Sequence, residues 1–77
     1  MAYYYRAIAK GKLGNIKGEI EDFSRAIQYE PNFENAFTQR GLAKYKKGDR
    51  TGACLDLNKA VKLGSEDAYN FLIQYCK

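Results

Sequence analysis

One ten-residue stretch of this chain occurs twice. Arg6-Ala-Ile-Ala-Lys-Gly-Lys-Leu-Gly-Asn15 returns as Arg40-Gly-Leu-Ala-Lys-Tyr-Lys-Lys-Gly-Asp49, 34 residues further on. Arg6/Arg40, Ala9/Ala43, Lys10/Lys44, Lys12/Lys46 and Gly14/Gly48 are identical, while Ile8/Leu42 and Asn15/Asp49 match in kind. The same offset pairs Ala2 with Ala36, Tyr3 with Phe37, Gly18 with Gly52, Asp22 with Asp56 and Ala26 with Ala60. A fixed period of this size belongs to stacked supersecondary units, each of which needs its neighbour to bury an apolar face. An irregular globule would leave no such echo.

Inside each unit the apolar spacing is helical. Tyr3, Ala7 and Lys10, with Ala2, Ala9 and Leu13 beside them, predict a first helix over 2–13, and Gly14-Asn15 supplies its turn. Gly11 is a weak spot in it, since Gly inside a helix costs about 1 kcal/mol relative to Ala. A second helix starts near Ile16, carries Ile20, Phe23, Ala26, Ile27 and Glu30 on one stripe, and stops at Pro31. Its Glu19, Glu21 and Asp22 suit the positive end of the helix dipole and are expected to be solvated.

The third helix is predicted over 34–47, followed by a Gly48-Asp49 turn and a fourth helix over 50–63 with the stripe Ala53, Cys54, Leu57, Ala60 and Val61. Ser65 reads as the N-cap of a fifth helix over 66–76, with Tyr69, Leu72, Ile73 and Cys76 turned inward and Asp67, Asn70, Gln74 and Lys77 outward. A lone amphipathic helix of this kind covers the apolar flank that a stack leaves at its end. The expected layout is one domain over 1–77: repeat one about 2–33, repeat two about 34–65 and a capping helix about 66–76. The opposite end begins abruptly inside a helix, which suggests a fragment or an end covered by another chain.

These units resemble tetratricopeptide repeats, helix-turn-helix modules of 34 residues. Tyr3 and Phe37 stand at the motif's Trp, and Ala7 and Gly41 at the small residue where paired helices approach. Glu19 with Phe23, and Ala53 with Leu57, hold the second helix's small and aromatic places; Ala26 and Ala60 hold the later small one, and Pro31 the terminating Pro, replaced in the second unit by Gly64-Ser65. The chain departs from the motif at Arg6, Arg40, Lys10, Lys44 and Glu19. The resemblance implies an all-α, right-handed solenoid of five antiparallel helices, working as a non-catalytic scaffold that binds a peptide or protein on its concave face.

Carried over by position, the resemblance places the lining of that face at Tyr4, Tyr5, Ile8 and Lys12 in the first unit and Thr38, Gln39, Leu42, Tyr45 and Lys46 in the second. Tyrosine is enriched at recognition surfaces because its ring is large and its tip polar. The competing reading is that Tyr4, Tyr5 and Tyr45 pack along a helix face or against a second copy. Some relatives of the repeat clamp a peptide carboxylate with Lys, Asn and Arg; Tyr4, Ile8 and Gln39 stand in those places here, which does not support that mode. Two units fall short of the three that usually make such arrays stable, so a homodimer is an alternative role.

Composition removes other classes. Hydrophobic residues make up 45% and charged residues 29% with a single Pro, the balance of a folded chain. The chain has no His, which takes away the commonest neutral-pH acid/base group and any Cys/His zinc site, so neither a metal nor a cofactor is expected. Cys54 and Cys76 lack metal-ligand spacing and read as small buried thiols, with a disulfide as the minor alternative. No apolar run reaches membrane-spanning length and no signal peptide is evident, which gives a cytoplasmic reading. The net charge of +4 and the cluster Lys44, Lys46, Lys47 and Arg50 fit a helix end meeting its dipole. Together with Lys10, Lys12 and Lys17 the cluster also admits a basic ridge for nucleic acid, the less favoured alternative.

Overall fold

The computed structural model describes residues 2–76, and Lys77, expected on the outer side of the last helix, lies outside them. Among the described residues five helices follow one another: α1 (Ala2–Lys12), α2 (Ile16–Tyr29), α3 (Glu34–Lys47), α4 (Arg50–Lys62) and α5 (Glu66–Tyr75). Each packs on its neighbour in sequence, α1 on α2, α2 on α3, α3 on α4 and α4 on α5, a serial stack measuring 30 × 25 × 16 Å. That is the all-helical repeat architecture the 34-residue period predicts.

The helix ends follow from local chemistry that the period repeats. Gly14 and Gly48 take positive φ, 82° and 99°, and the next residue caps the following helix. Asn15 Oδ1 accepts from the Gly18 amide and Asp49 Oδ1 from the Gly52 amide, both at 2.9 Å. Each cap satisfies one of the orphan donors of a helix N-terminus. Ser65 caps α5 through the Ala68 amide at 3.1 Å. At Pro31 the stop falls one residue early: α2 closes at Tyr29 and Glu30 is already outside the helical region, at φ −137°.

Two small cores run through the stack. Ala7, Phe23, Ala26 and Ala36 form one, with Tyr3, Tyr4, Ile8, Ile27 and Phe33 packed around it. Phe37, Leu57, Ala60 and Ala68 form the other, and Ile27 touches both. Alanine dominates because helices meet closely, and among the described residues only Phe23 and Leu57 are large apolar side chains with no exposure. The α2 and α4 stripes are as expected at Phe23, Ala26, Ala53, Leu57 and Ala60. In α1, by contrast, Ala7 is the buried residue, while Ala9 is exposed and Leu13, just past the helix end, stands 85% exposed.

The largest departure concerns charge. The sequence reading puts Glu19, Glu21 and Asp22 on a solvated turn, yet only Glu21 is exposed; Asp22 is fully buried, as is its counterpart Asp56 to within 5%. Arg6 Nε and Nη2 donate to the two oxygens of Asp22 at 2.7 and 2.9 Å, and Arg40 does the same to Asp56 at 2.8 and 2.8 Å. Lys10 and Lys44 add an ammonium at 3.1 Å to the same carboxylates. Each guanidinium also lies over a ring of its own helix, Arg6 over Tyr3 at 5.2 Å and Arg40 over Phe37 at 5.5 Å. Bidentate, charge-assisted pairing is what makes burial of a carboxylate tolerable. The hydrogen bonds from Arg6, reinforced by Lys10, hold the Asp22 carboxyl down at about 2 against its desolvation.

Arg6, Arg40, Lys10 and Lys44, which looked like departures from the repeat motif, are thus the bolts that fasten the first helix of each pair to the second. Arg40 reaches further, donating to Ser24 Oγ of the preceding unit at 3.1 Å.

Two other expectations are corrected. Cys54 and Cys76 are joined in a disulfide that ties the end of α5 to α4, so they are not free buried thiols. And the inward face of α5 is rotated: Leu72 and Cys76 are half-buried as expected, but buried Ala68 and half-buried Phe71 and Tyr75 join them, whereas Tyr69 and Ile73 stand 54% and 52% exposed. Asp67, Asn70 and Gln74 face outward as predicted.

Candidate functional site

The expected lining residues divide by helix. On α1, Tyr4 is packed against Phe23 and Phe33 with ring centroids 5.6 and 4.7 Å away, and burial, with Tyr5 alongside, pushes its phenol pKa up. Ile8 is half-buried against the same core. Tyr5 is 67% exposed and meets Tyr4 edge-on, and Lys12 is exposed. Thr38 of α3 is buried, its hydroxyl 3.0 Å from Ser65 Oγ and bonded to the Glu34 carbonyl. It joins α3 to the α5 cap and offers a partner nothing, which corrects its place in the lining.

Four expected residues do come together. Gln39, Leu42, Tyr45 and Lys46, one side of α3, line a cavity of about 310 Å³ whose opposite wall is Phe71 and Tyr75 of α5, with Glu19 of α2 completing it. Helical geometry explains the α3 set, since 39, 42, 45 and 46 recur at steps of three and four. The α5 wall exists because that helix buries Ala68, which aims Phe71 and Tyr75 toward α3; Tyr75 packs at a tilt against Tyr45 with centroids 4.7 Å apart, and Phe71 stacks on Tyr75 at 6.1 Å. The outcome is a trough with aromatic walls, an amide, and one charge of each sign.

Glu19 is its unusual member. It is 94% buried, since only 6% of its surface is exposed, and its Oε1 has no hydrogen-bond partner among the described residues. The nearest cation is Lys46 Nζ at 3.7 Å, an ion pair too long for a hydrogen bond, on a side chain 54% exposed. Burial raises the Glu19 pKa and Lys46 only partly opposes it. Room for the carboxylate comes from Gly11: a Cβ there would lie 2.6 Å from Glu19 Cδ. The weak spot in α1 is therefore the seat of the α2 carboxylate.

Sequence reasoning missed Glu19, Phe71 and Tyr75 as lining. The signal for Glu19 was present, an acidic residue at a place that wants a small one. For Phe71 and Tyr75 the signal was their place at i+3 and i+7 from Ala68, masked by the equally regular Tyr69, Leu72, Ile73 and Cys76.

The cation supply for a nucleic-acid ridge is reduced by the fold. Lys10, Lys44 and Lys46 are paired with Asp22, Asp56 and Glu19, and Arg50 lies over the Tyr45 ring at 5.8 Å. Among the described residues, no group of acidic or Cys side chains could hold a metal ion, and no helix is long and apolar enough to cross a membrane.

No family model matches the chain. Among curated proteins it is similar to Tetratricopeptide repeat protein 36 of Homo sapiens, 34% identical over 76 residues that cover 94% of this chain and 40% of the relative. Tetratricopeptide repeat protein 36 of Danio rerio is 39% identical over 71 residues, 87% of this chain and 38% of the relative. The Tetratricopeptide repeat protein 36 homolog of Nematostella vectensis is 30% identical over 64 residues, 83% of this chain and 35% of the relative. The chain thus spans about two-fifths or less of the length of these relatives.

Proposed function

We propose that this chain is a tetratricopeptide-type repeat module, two units and a capping helix, that binds an extended segment of a partner protein in the trough between α3 and α5 and performs no chemistry on it. Three things support the family: the 34-residue period, the serial stack of five helices, and relatives that carry the repeat in their names. The observation that carries the function is the trough itself, where the α3 residues expected to touch a partner, Gln39, Leu42, Tyr45 and Lys46, share one cavity with two aromatic side chains of α5. Rigid aromatic walls with a few polar groups suit recognition, because little side-chain freedom remains to be lost on binding. The carboxylate-clamp mode has no support, and pairing of the lysines with buried acids leaves the nucleic-acid alternative weaker than the charge count suggested.

The test is selection of binders from a random peptide library against the whole chain, followed by mapping each binder through amide chemical shifts. Binders are expected to shift Gln39, Leu42, Tyr45, Phe71 and Tyr75, and to lose at least tenfold in affinity on Leu42→Glu with helical content unchanged. Binders that map instead to Tyr5 or Tyr69, or that ignore Leu42→Glu, would overturn this reading.

A further inference from the structure

Three carboxylates are buried among the described residues, Asp22, Asp56 and Glu19. The first two are met in the same way: a guanidinium donates two hydrogen bonds, a lysine adds a 3.1 Å contact, and the guanidinium rests over an aromatic ring. Glu19 has none of this. Among the described residues its Oε1 is without a hydrogen bond and its one cation is a half-exposed lysine at 3.7 Å, and it opens into a cavity walled by Tyr45, Phe71 and Tyr75.

We propose that the Glu19 end of the trough is a pocket for an arginine side chain of the bound segment, which pairs its guanidinium with the Glu19 carboxylate and stacks on the aromatic wall. This rests on the reading of the trough as a peptide site and names the side chain it selects. The chemistry favours arginine over other occupants on three counts. A buried carboxylate oxygen without a donor carries a desolvation cost that an incoming donor relieves. A planar guanidinium can satisfy a carboxylate bidentately and lie against a ring at once, which a compact ammonium cannot. And the chain already builds this arrangement twice from its own residues, at Asp22 and Asp56, while at Glu19 the guanidinium is the missing part. Lys46 is the competitor: it reaches Glu19 loosely from solvent, so it can swing aside when an arginine enters.

The experiment titrates N-acetyl-arginine amide into the whole chain, with N-acetyl-citrulline amide as its uncharged counterpart, following the Gln39 side-chain amide and the Tyr45, Phe71 and Tyr75 ring signals at constant ionic strength. Arginine is expected to saturate these signals at a concentration at least fivefold lower than citrulline. Glu19→Gln should abolish the preference for arginine over citrulline with helical content unchanged, a split that a general loss of folding would not give. Lys46→Met, which removes the competitor, should tighten arginine about threefold. Equal binding of arginine and citrulline, an arginine preference that survives Glu19→Gln, or weaker binding in Lys46→Met would each overturn the pocket. The two readings fail separately. Library binders that map to the trough without any arginine preference leave the peptide site standing, whereas an arginine preference with binders mapping elsewhere leaves only the pocket.

Discussion

The two helix pairs share their caps, their turn glycines and their Arg-Lys-Asp bolts, but they exchange bulk at two facing positions. Where the first pair has Gly11 on α1 and Glu19 on α2, the second has Tyr45 on α3 and Ala53 on α4, each displaced by 34 residues. Gly11 leaves the space that the Glu19 side chain fills. In the second pair the large residue sits on the first helix instead, and Ala53 is fully buried beneath the close approach of α3 and α4. The exchange teaches that the period fixes the frame, while the site is made where the period breaks: Glu19, Tyr45 and the α5 aromatics line one trough because the two units differ.

The shared bolts give the largest effects. Asp56→Ala should cost about 3 kcal/mol or more, because it abandons Arg40, whose side chain is 18% exposed, inside the stack. Asp22→Ala should cost less, about 2 kcal/mol, since Arg6 is 51% exposed and can be hydrated once released. Urea melts of the two variants side by side decide it, and equal losses would show that exposure of the arginine is irrelevant. Acid offers a second handle on the first pair. The folded Asp22 carboxyl at about 2 lies below its ordinary 3.8, so its contribution is complete above about pH 4 and is lost as pH falls through about 2. Asp22→Asn should flatten the stability profile across that window.

The junctions following each pair differ as well. Ile20, the residue after Glu19 in α2, corresponds to Cys54 in α4, and there the contact to the next helix is covalent. The disulfide closes a loop over a separation of 22 residues, so Cys54→Ser should cost about 3 kcal/mol under oxidising conditions. Reductant should remove the difference between variant and parent. A parent melt insensitive to reductant would show that packing of Ala68, Phe71 and Leu72 alone holds α5 in place.

Much of this frame was legible in the sequence: the period, five helices to within a residue or two, and the Asn15, Asp49 and Ser65 caps. What was not legible has a common physical cause. Counting apolar periodicity assigns Asp22 and Asp56 to solvent, because it has no means of seeing that a charge becomes buriable when a guanidinium sixteen residues away arrives on the facing helix. The repeat of both Arg and Asp at one offset was the available clue. In α5, six of the last eight described residues are aromatic, aliphatic or Cys, so two adjacent faces read equally well and tertiary contact with Thr38 and Tyr45 chose between them. Three of the nine expected lining residues are taken up by tertiary packing for the same reason: Tyr4 and Ile8 pack against a core, and Thr38 meets Ser65.

The exchange of bulk can be tested as a coupling. Gly11→Ala should bring the helix-propensity gain of about 1 kcal/mol only when Glu19 is also Ala, and in the parent the gain should vanish against the crowded carboxylate. The double-mutant cycle therefore predicts about 1 kcal/mol of interaction between positions 11 and 19, and none between Tyr45→Ala and Gly11→Ala. Additivity at 11 and 19 would mean that Glu19 moves aside freely and that its burial is not enforced by α1.

The smallest effect comes from the charge on Glu19 itself. Its folded pKa is raised, first by burial and with Lys46 opposing, so the protonated form favours the folded state. That contribution is present below the ordinary carboxylate range and is lost as pH rises through the raised folded value, which leaves the ionised side chain weighing against folding at neutral pH. Glu19→Gln removes the charge at nearly constant shape and gives up one loose, half-exposed ion pair worth under about 1 kcal/mol. The variant should accordingly melt slightly higher than the parent at pH 7, by about 1 kcal/mol or less, with the advantage shrinking in acid as the parent becomes neutral. No corresponding gain is open to the second pair, where Ala53 is already the small residue. A lower melting temperature for Glu19→Gln would mean that Lys46 stabilises the carboxylate more than its 3.7 Å separation implies, and that the trough holds a satisfied ion pair with no donor left to seek.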